Sequence, residues 1–311
     1  MRICSFLPSA TEILFALDLG DSVVGVTHEC DYPPAARGKP VVVRSTLDAS
    51  RMASGEIEAA VRASLRGGPG VYIIEAEALR RADPDLVVTQ DLCDVCALPT
   101  QAVTAAIAAL PRRPRVVSLK PGRLHDVLAD IRTVGGAAGR GAEAGRLVGE
   151  LTGRIAAVGR LTARVARRPR VVCLEWFDPL YVGGHWIPEM VNLAGGEDVM
   201  GVAGERSRIV SWEDVRAKAP EVILLIPCGG DTSRVAQEMH LLERLPEWRE
   251  VPAVRSGRVY AADASSYFSR PGPRLTEGLE ILSHFLHPEI FLRPDLPGAG
   301  GPLPQASRTE V

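Results

Sequence analysis

Four side chains that bind metal ions well lie in two short segments of the sequence. The first segment holds His28 and Cys30, and the second holds Cys93 and Cys96. Thiolate and imidazole groups suit zinc, so one tetrahedral site could use all four side chains. The Cys93-x-x-Cys96 pair could instead be a redox dithiol whose first thiol is acidified at the start of a helix. In a third interpretation, these side chains line a pocket and bind no metal of their own.

A metal could also arrive with the ligand. Imidazole is a good axial ligand for cobalt or iron, so His28 or His185 could reach a metal that the ligand carries. The sequence contains no G-x-S-x-G motif, no P-loop and no H-E-x-x-H motif. We therefore expect a binding protein without a nucleotide cofactor. The alternative is an enzyme that uses Cys and His side chains for thiol or metal chemistry.

Predicted strands precede most of these residues. Short β-branched runs predict strands at 2–6, 22–27, 86–90, 115–119, 170–176, 221–227 and 258–262. Helical patterns occupy residues 11–19, 54–65, 100–109, 188–194, 212–218, 234–243 and 274–285. This alternation predicts an α/β fold with mainly parallel sheets. Ligands bind outside the carboxyl ends of such strands, and two of the six histidines and four of the six cysteines lie there.

The middle of the chain predicts a helix between two lobes. Leu147, Leu151, Ile155 and Val158 recur at steps of three and four residues, which is one face of a long helix. Several glycines weaken this helix by roughly 1 kcal/mol each relative to alanine, so packing must hold it in place. The expected domains are an N-terminal lobe at 1–121, a spine helix linker at 122–168, a C-terminal lobe at 169–287 and a Pro/Gly-rich tail at 288–311. We expect the tail to wrap the surface or to be disordered.

One motif occurs in both halves of the chain. The segment from Glu77 to Pro84 and the strand after it match the segment from Glu213 to Pro220 and its strand. Each copy predicts a short helix, a turn at proline and a buried strand. The repeat indicates two related lobes.

Composition excludes several classes of function. The 311 residues carry a formal net charge of -2, with 46% hydrophobic and 24% charged residues, and no basic block is present. Nucleic-acid binding is therefore not expected. No apolar run reaches the roughly 18 residues of a transmembrane helix, so we expect no membrane insertion. The opening run ends at Pro8 without a cleavage-site pattern, which predicts a cytoplasmic protein. A misassigned start codon would hide an export signal, and the protein would then be periplasmic or extracellular.

Several segments together carry a family resemblance. The segment from Arg2 to Glu12, followed by residues 20–26 and 31–33, resembles the start of the cobalamin-binding proteins of bacterial ABC uptake systems. The Pro-Asp-Leu-Val block at 84–87, the Ser-Trp-Glu block at 211–213 and the aromatic segment at 263–274 fit the same family. The elements around His28 and Cys93 look like features of a signal-less subgroup. The family that the chain resembles is the class III, helical-backbone family of solute-binding proteins, which also includes siderophore and haem binders.

The resemblance implies a fold and a function. Two Rossmann-like lobes would be joined by one spine helix, and a corrinoid such as cobalamin would bind in the cleft between the lobes, for ABC-type uptake or for handling inside the cell. Glu77 and Glu213 would each meet an ABC permease. The expected ligand contacts are Pro8, Ser9, His28, Tyr32, Arg44, Trp176, Phe177, His185, Trp186, Arg208, Tyr267 and Phe268.

The alternative ligands are a siderophore, haem, or a bare ion such as zinc or iron. A siderophore would require several arginines, which Arg44, Arg206, Arg208 and Arg270 could supply.

Overall fold

The structure, a computed structural model, describes residues 1–66, 70–91, 98 and 100–303. The chain forms two compact units. Unit 1 comprises Met1–Thr152 and Pro271–Pro273, and unit 2 comprises Gly153–Arg270 and Arg274–Val311. No helix within the described ranges is long and apolar enough to cross a membrane.

Unit 1 contains a six-stranded sheet. Its strands are β1 Ile3–Ser5, β2 Val23–Thr27, β3 Val41–Ser45, β4 Tyr72–Ile74, β5 Leu86–Gln90 and β6 Arg115–Leu119. Their order is β4-β3-β2-β1-β5-β6, and every pair is parallel except β3 with β4. The four strands that the sequence predicts here are confirmed. Strands β3 and β4 were not predicted.

Helices cover both faces of this sheet. They are α1 Pro8–Ala16, α2 Ser54–Leu65, α3 Ala76–Ala82, α4 Thr100–Ala108, α5 Leu124–Ala137 and α6 Gly141–Thr162, which continues into unit 2. Alternate residues of β1 point to opposite faces. Ile3 packs with apolar residues of α1, α5 and α6, whereas Cys4 packs with residues of α3 and α4. Because both faces are buried, the central strands consist almost entirely of apolar residues.

The long helix predicted for the middle of the chain is α6, and α5 precedes it as a separate helix. Helix α5 ends in a Schellman motif, in which the Arg140 N–H donates to the Gly135 carbonyl at 2.6 Å. Gly139 supplies the left-handed residue with φ of +72°. A Cβ on Gly135 would lie 2.5 Å from the Cβ of Ala144, so glycine allows the two helices to approach closely.

Unit 2 contains a seven-stranded sheet with parallel strands at its centre. The strands are β7 Arg170–Phe177, β8 Leu180–Val182, β9 Glu197–Asp198, β10 Arg208–Ile209, β11 Val222–Leu225, β12 Val259–Ala261 and β13 Gly301–Pro302. Strand β7 pairs in parallel with β9 and β11, and β11 with β12. Strands β8, β10 and β13 join by antiparallel pairing. The three predicted strands are confirmed, and the short antiparallel strands were not predicted.

The helices of unit 2 surround this sheet. They are α7 Ile187–Leu193, α8 Trp212–Ala217, α9 Thr232–Glu243, α10 Pro252–Arg255, α11 Ala264–Tyr267 and α12 Leu275–Leu286. Residues of α8, α9 and α10 pack with the inward side chains of β7 and β11, including Leu174 and Ile223. Helices α7 and α12 pack against each other.

Part of the C-terminal tail is bonded to unit 2. Strand β13 pairs with β12, and the Leu303 N–H donates to the Val259 carbonyl at 2.8 Å. The Tyr267 hydroxyl donates to the Pro297 carbonyl at 2.7 Å. The tail up to residue 303 therefore wraps the surface of unit 2, and the last eight residues lie outside the described ranges.

The repeated motif occupies equivalent positions in the two units. Helix α3 leads into β5, which pairs in parallel with β1, and α8 leads into β11, which pairs in parallel with β7. Each helix is followed by a residue with positive φ, Asp83 at 38° and Ala219 at 45°. Together with the similarity of the two sheets, this match confirms an α/β protein built from two related lobes.

Candidate functional site

A shallow, open recess lies at the carboxyl ends of β1 and β2. We call it the unit 1 recess. Its described walls are Phe6, Leu7, Pro8, Thr27, Glu29, Val43, Tyr72 and Leu98. Most of these side chains are apolar or aromatic, and a few polar groups stand among them. This composition is typical of a surface that receives an apolar ligand and fixes its orientation with a small number of polar contacts.

A buried polar network ties two walls of the recess together. The Cys30 sulfur lies 3.0 Å from the Thr11 hydroxyl and 3.2 Å from the Thr27 hydroxyl, and it accepts the Thr27 N–H at 3.4 Å. The Thr11 hydroxyl also donates to the Ser5 hydroxyl at 2.8 Å, and Ser5 donates to the Leu7 carbonyl at 2.8 Å. The network therefore joins the turn after β1 to the turn after β2.

Two of the predicted contacts of unit 1 lie at or beside this recess. Pro8 lines it, and the exposed His28 has its ring centroid 6.3 Å from that of Tyr72, which also lines it. Tyr32 is 44% exposed. Arg44, on β3, forms an exposed ion pair with Glu75 at 3.5 Å.

Ser9 has a different environment. It is buried in the first turn of α1, and its hydroxyl has no hydrogen-bond partner among the described residues. Its role as a ligand contact stays a prediction.

The predicted tetrahedral metal site is only half described. Cys93 and Cys96 lie outside the described residues. Cys30 is buried in the network above, whereas His28 is exposed. Across 1–66, 70–91, 98 and 100–303, no three His, Cys, Asp or Glu side chains are grouped so that they could hold a metal ion. The zinc or iron site stays a prediction.

His185 of unit 2 is held rigidly by its backbone. Its N–H donates to the Glu205 carbonyl at 2.5 Å, and its carbonyl accepts the Gly204 N–H at 2.8 Å. Its φ of +51° is uncommon for a residue other than glycine. The Nε2 atom is buried and has no hydrogen-bond partner in the described part of the chain. Burial lowers the pKa of His185, and the nearby Arg206 lowers it further. This imidazole is therefore kept neutral, as a metal ligand must be.

Most predicted aromatic contacts of unit 2 are buried. Trp186, Phe177, Tyr267 and Phe268 are each at most 4% exposed. The Trp186 indole donates to the Phe268 carbonyl at 2.8 Å, which holds the end of α11 against the start of α7. Trp176 is half-buried, and its indole donates to the Asp178 carbonyl at 3.1 Å. The structure thus gives the four buried residues a packing role. Ligand contact by these four residues or by Trp176 stays a prediction.

The candidate arginines of unit 2 remain accessible. Arg208 is exposed and donates to the Met200 carbonyl at 2.9 Å. Arg206 is exposed and Arg270 is half-buried. Nearby, the Ser207 hydroxyl donates to the carboxylate of Glu175 at 2.5 Å.

Glu77 and Glu213 occupy the second position of α3 and α8, and both are exposed. Glu77 forms an ion pair with Arg80 at 2.6 Å, and hydrogen bonding to Arg80 lowers the pKa of Glu77. The equivalent Arg216 pairs with Glu247 at 2.7 Å instead. Glu213 has no ion pair among the described residues.

Sequence reasoning missed several walls of the recess. Val43 and Tyr72 lie on the two unpredicted strands, and Leu98 follows a segment with no strand signal. Glu29 and Thr27 could have been found, because they flank His28 at the end of a predicted strand.

Three comparisons with known proteins bear on this site. A Bacillus subtilis protein, the uncharacterized ABC transporter substrate-binding lipoprotein YvrC, is 24% identical over 300 residues, covering 93% of this chain and 81% of that protein. The vitamin B12-binding protein of Vibrio parahaemolyticus is 26% identical over 297 residues, covering 91% of this chain and 89% of that protein. The apo periplasmic haem-binding protein RhuT from Roseiflexus sp. RS-1 superposes with a TM-score of 0.71 at 24% identity, covering 92% of this chain and 98% of RhuT.

These matches agree with the family that the sequence resembles. The proteins are solute-binding proteins and not enzymes, and RhuT shares the fold. The model of the family described as "Periplasmic binding protein" matches residues 3–265. The chain therefore belongs to the periplasmic binding protein family.

Proposed function

We propose that this protein binds a corrinoid such as cobalamin. The observation that carries the proposal is the apolar and aromatic recess at the carboxyl ends of β1 and β2. Members of this family bind solutes, and the Vibrio parahaemolyticus relative is named as a vitamin B12-binding protein. One face of the macrocycle would lie against Phe6, Pro8 and Tyr72 at this recess. Each 100 Å² of apolar surface that the ligand buries contributes roughly 2.5 kcal/mol before the costs of association are subtracted.

His185 is the described histidine of unit 2 with a buried ring nitrogen suited to a metal. The His185 Nε2 atom is buried and unpartnered in the described part of the chain, and its lowered pKa keeps it neutral at pH 7. A neutral imidazole nitrogen is a good ligand for cobalt or iron. We infer that His185 is the residue of unit 2 that would coordinate a metal carried by the ligand.

Titration of the purified protein with aquocobalamin tests both inferences. Calorimetry should give saturable one-to-one binding at micromolar affinity or tighter, and the visible spectrum should shift as an imidazole replaces the cobalt-bound water. His185→Ala should abolish the spectral shift while weak binding remains. If the protein does not bind aquocobalamin, the proposal is disproved. Binding with an unchanged spectrum removes only the role of His185.

Haem or a ferric siderophore is the second candidate. The exposed Arg206 and Arg208 lie in the same part of unit 2 as His185, and such cations would pair with ligand carboxylates. The structural neighbour RhuT is described as haem-binding. A parallel titration with haemin decides between the candidates. Tighter binding of haemin than of aquocobalamin, with loss of affinity in Arg206→Ala, would favour the second one.

We further infer that an ABC permease is the partner, as the name of the Bacillus subtilis relative suggests. Glu77 and Glu213 would contact it, because they are exposed at equivalent positions of equivalent helices. Charge reversal at both sites, Glu77→Lys with Glu213→Lys, should abolish ligand-stimulated ATP hydrolysis by the permease and leave ligand affinity unchanged. Full stimulation by the double variant would exclude this surface.

The cellular location stays a prediction, and fractionation of cells that produce the protein from its own gene would test it.

A further inference from the structure

One loop of unit 2 is bonded to the segment that carries His185. This loop runs from the end of β9 to the start of β10, and we call it the 198–208 loop. Its Glu205 carbonyl accepts the His185 N–H at 2.5 Å, and its Gly204 N–H donates to the His185 carbonyl at 2.8 Å. Both backbone groups of His185 are therefore bonded to the same loop.

Glycines allow the loop to lie directly against this segment. A Cβ on Gly184 would lie 2.6 Å from a carbonyl oxygen of the loop. A Cβ on Gly201, within the loop, would lie 2.5 Å from the Gly183 carbonyl oxygen and 2.7 Å from the Cγ atom of Pro188. Side chains at these two positions would displace the backbone, which is why both are glycine. The loop thus contacts the chain both before and after His185.

Asp198 fixes the path of the loop at its start. Its Oδ1 atom accepts the Met200 N–H at 3.0 Å and the Gly201 N–H at 2.6 Å. Its Oδ2 atom is buried and has no hydrogen-bond partner in the described part of the chain. Burial raises the pKa of Asp198, whereas the two N–H groups and the charge of Arg208 lower it. Arg208 also donates to the Met200 carbonyl at 2.9 Å, which ties the end of the loop to its start.

We propose that Asp198 is the positioning residue of His185. It acts through the turn at Met200 and Gly201, which sets the path of the loop that holds the backbone of His185. A metal ligand is effective when its neighbours fix its orientation, and a backbone bonded on both sides limits the directions that the imidazole can take. This role rests on the proposed function, because it concerns the residue that would coordinate the metal. It also gives Arg208, predicted as a ligand contact, a part in closing the loop.

Three substitutions separate this role from a general loss of stability. Asp198→Ala removes the acceptor of two N–H groups, whereas Asp198→Asn keeps an oxygen at the same position. Asp231→Ala is the matched control. Asp231 accepts two N–H groups in the same way at the start of α9, from Ser233 at 2.9 Å and from Arg234 at 3.0 Å. Among the described residues, it forms no hydrogen bond with residues 183–188.

Amide hydrogen exchange measures the position of His185 without any ligand. In Asp198→Ala, the N–H groups of His185 and Gly204 should exchange at least about tenfold faster than in the wild type, because the loop opens more easily. Asp198→Asn should stay within about threefold of the wild-type rates, because the turn keeps its acceptor. Asp231→Ala should leave the exchange of both groups unchanged.

The visible spectrum with aquocobalamin reports on the imidazole itself. Asp198→Ala should still bind the corrinoid, but the equilibrium between imidazole-bound and water-bound cobalt should move about tenfold toward water, because the imidazole is no longer preorganised. Asp198→Asn should restore the wild-type spectrum of the complex, and Asp231→Ala should keep it. A residue that only stabilises the fold would lower the melting temperature in Asp198→Ala, as in Asp231→Ala, without changing the spectrum of the bound state.

Exchange rates within twofold of the wild type at His185 in Asp198→Ala overturn the positioning role, and so does faster exchange that Asp198→Asn fails to restore. If Asp198→Ala does not fold, Asp198→Ser takes its place, since serine offers the same turn a weaker acceptor. Exchange at His185 should then still be faster than in the wild type, and an unchanged rate overturns the role. If the wild-type protein does not bind aquocobalamin, the proposed function fails, and the exchange rates still decide whether Asp198 positions His185.

Discussion

Arg170 makes in unit 2 the same set of bonds that Arg2 makes in unit 1. The Arg2 N–H donates to the Asp85 carboxylate at 2.7 Å, and the Arg170 N–H donates to the Glu221 carboxylate at 3.0 Å. The Arg2 guanidinium also donates to the Ala82 carbonyl at the end of α3, at 2.8 Å. The Arg170 guanidinium donates to the Ala219 carbonyl just after α8, also at 2.8 Å. The repeat is therefore conserved between the units as a bonding pattern, even though one carboxylate is Asp and the other is Glu.

This bonding pattern predicts that Glu221 stabilises the folded protein at neutral pH and less so in acid. The Arg170 N–H, together with the charges of Arg170 and Arg167, lowers the pKa of Glu221. A carboxylate whose pKa is lower in the folded state stabilises the protein above the pKa of the unfolded chain, and this stabilisation disappears as the pH falls through the folded value. Glu221→Gln should lower the free energy of unfolding at pH 7. Urea denaturation between pH 3 and 7 should show a constant difference near pH 7 that shrinks as the pH falls below about 4. An equal difference across the range would contradict this assignment.

Replacement of Cys30 tests the buried network beneath the recess. Cys30→Ala leaves the buried Thr27 backbone N–H without its sulfur acceptor and removes the sulfur that contacts the Thr11 hydroxyl, which should cost about 1–3 kcal/mol of unfolding free energy. Cys30→Ser restores a small acceptor and should recover most of that loss. Urea denaturation of the two variants measures both effects. If serine were as destabilising as alanine, packing and not hydrogen bonding would explain the role of the thiol.

Exposed glycines of α6 provide a stability test with an internal control. A Cβ added at Gly145 or Gly149 would meet no atom within 4 Å. Alanine at either position should therefore raise the free energy of unfolding by about 0.5–1 kcal/mol. Gly135→Ala should destabilise the protein, because its Cβ would lie 2.5 Å from that of Ala144. Thermal denaturation of the three single variants measures these effects. The opposite ordering would exclude the close approach of α5 and α6.

The contribution of Asp130 to stability should change with pH in the opposite direction from that of Glu221. Burial, and to a smaller extent the charge of Asp126, raises the pKa of Asp130 to about 7. Since the folded state holds this proton more tightly than the unfolded chain, the contribution of Asp130 to stability falls as the pH rises from about 4 to 7. Asp130→Asn should stabilise the protein at pH 8 by about 1 kcal/mol, after allowance for partial exposure of the group. At pH 4 the variant and the wild type should unfold alike in urea.

The two proposed docking glutamates should differ in strength. Glu77 is already paired with Arg80, whereas Arg216 is engaged with Glu247 and leaves Glu213 available. Glu213→Ala should therefore reduce permease affinity more than Glu77→Ala. Arg80→Ala should strengthen binding by releasing Glu77, an effect of less than about 1 kcal/mol for an exposed pair. Affinities measured with the reconstituted permease test this order. Equal losses in the two glutamate variants would show that Arg80 does not compete.

The sequence predicts the central strands well, because most of them, such as β2, β5 and β11, are runs rich in Val, Ile and Leu. It does not predict β4, since those three residues become a strand only by pairing with β3. The side chains are harder to predict. His28 and Cys30 are two residues apart, yet one is exposed and the other is buried. That outcome depends on the Thr11 and Thr27 hydroxyls, which come from other elements.

Strand β13 has a practical consequence for handling this protein. It covers the outer edge of β12, whose N–H and C=O groups would otherwise be free to pair with a strand of another molecule. A proteolytic fragment that ends before residue 297 would lose this cover and the bond to Tyr267 together. Such a fragment should self-associate by edge-to-edge strand addition, and an affinity tag is therefore better attached beyond residue 303 than in place of the tail.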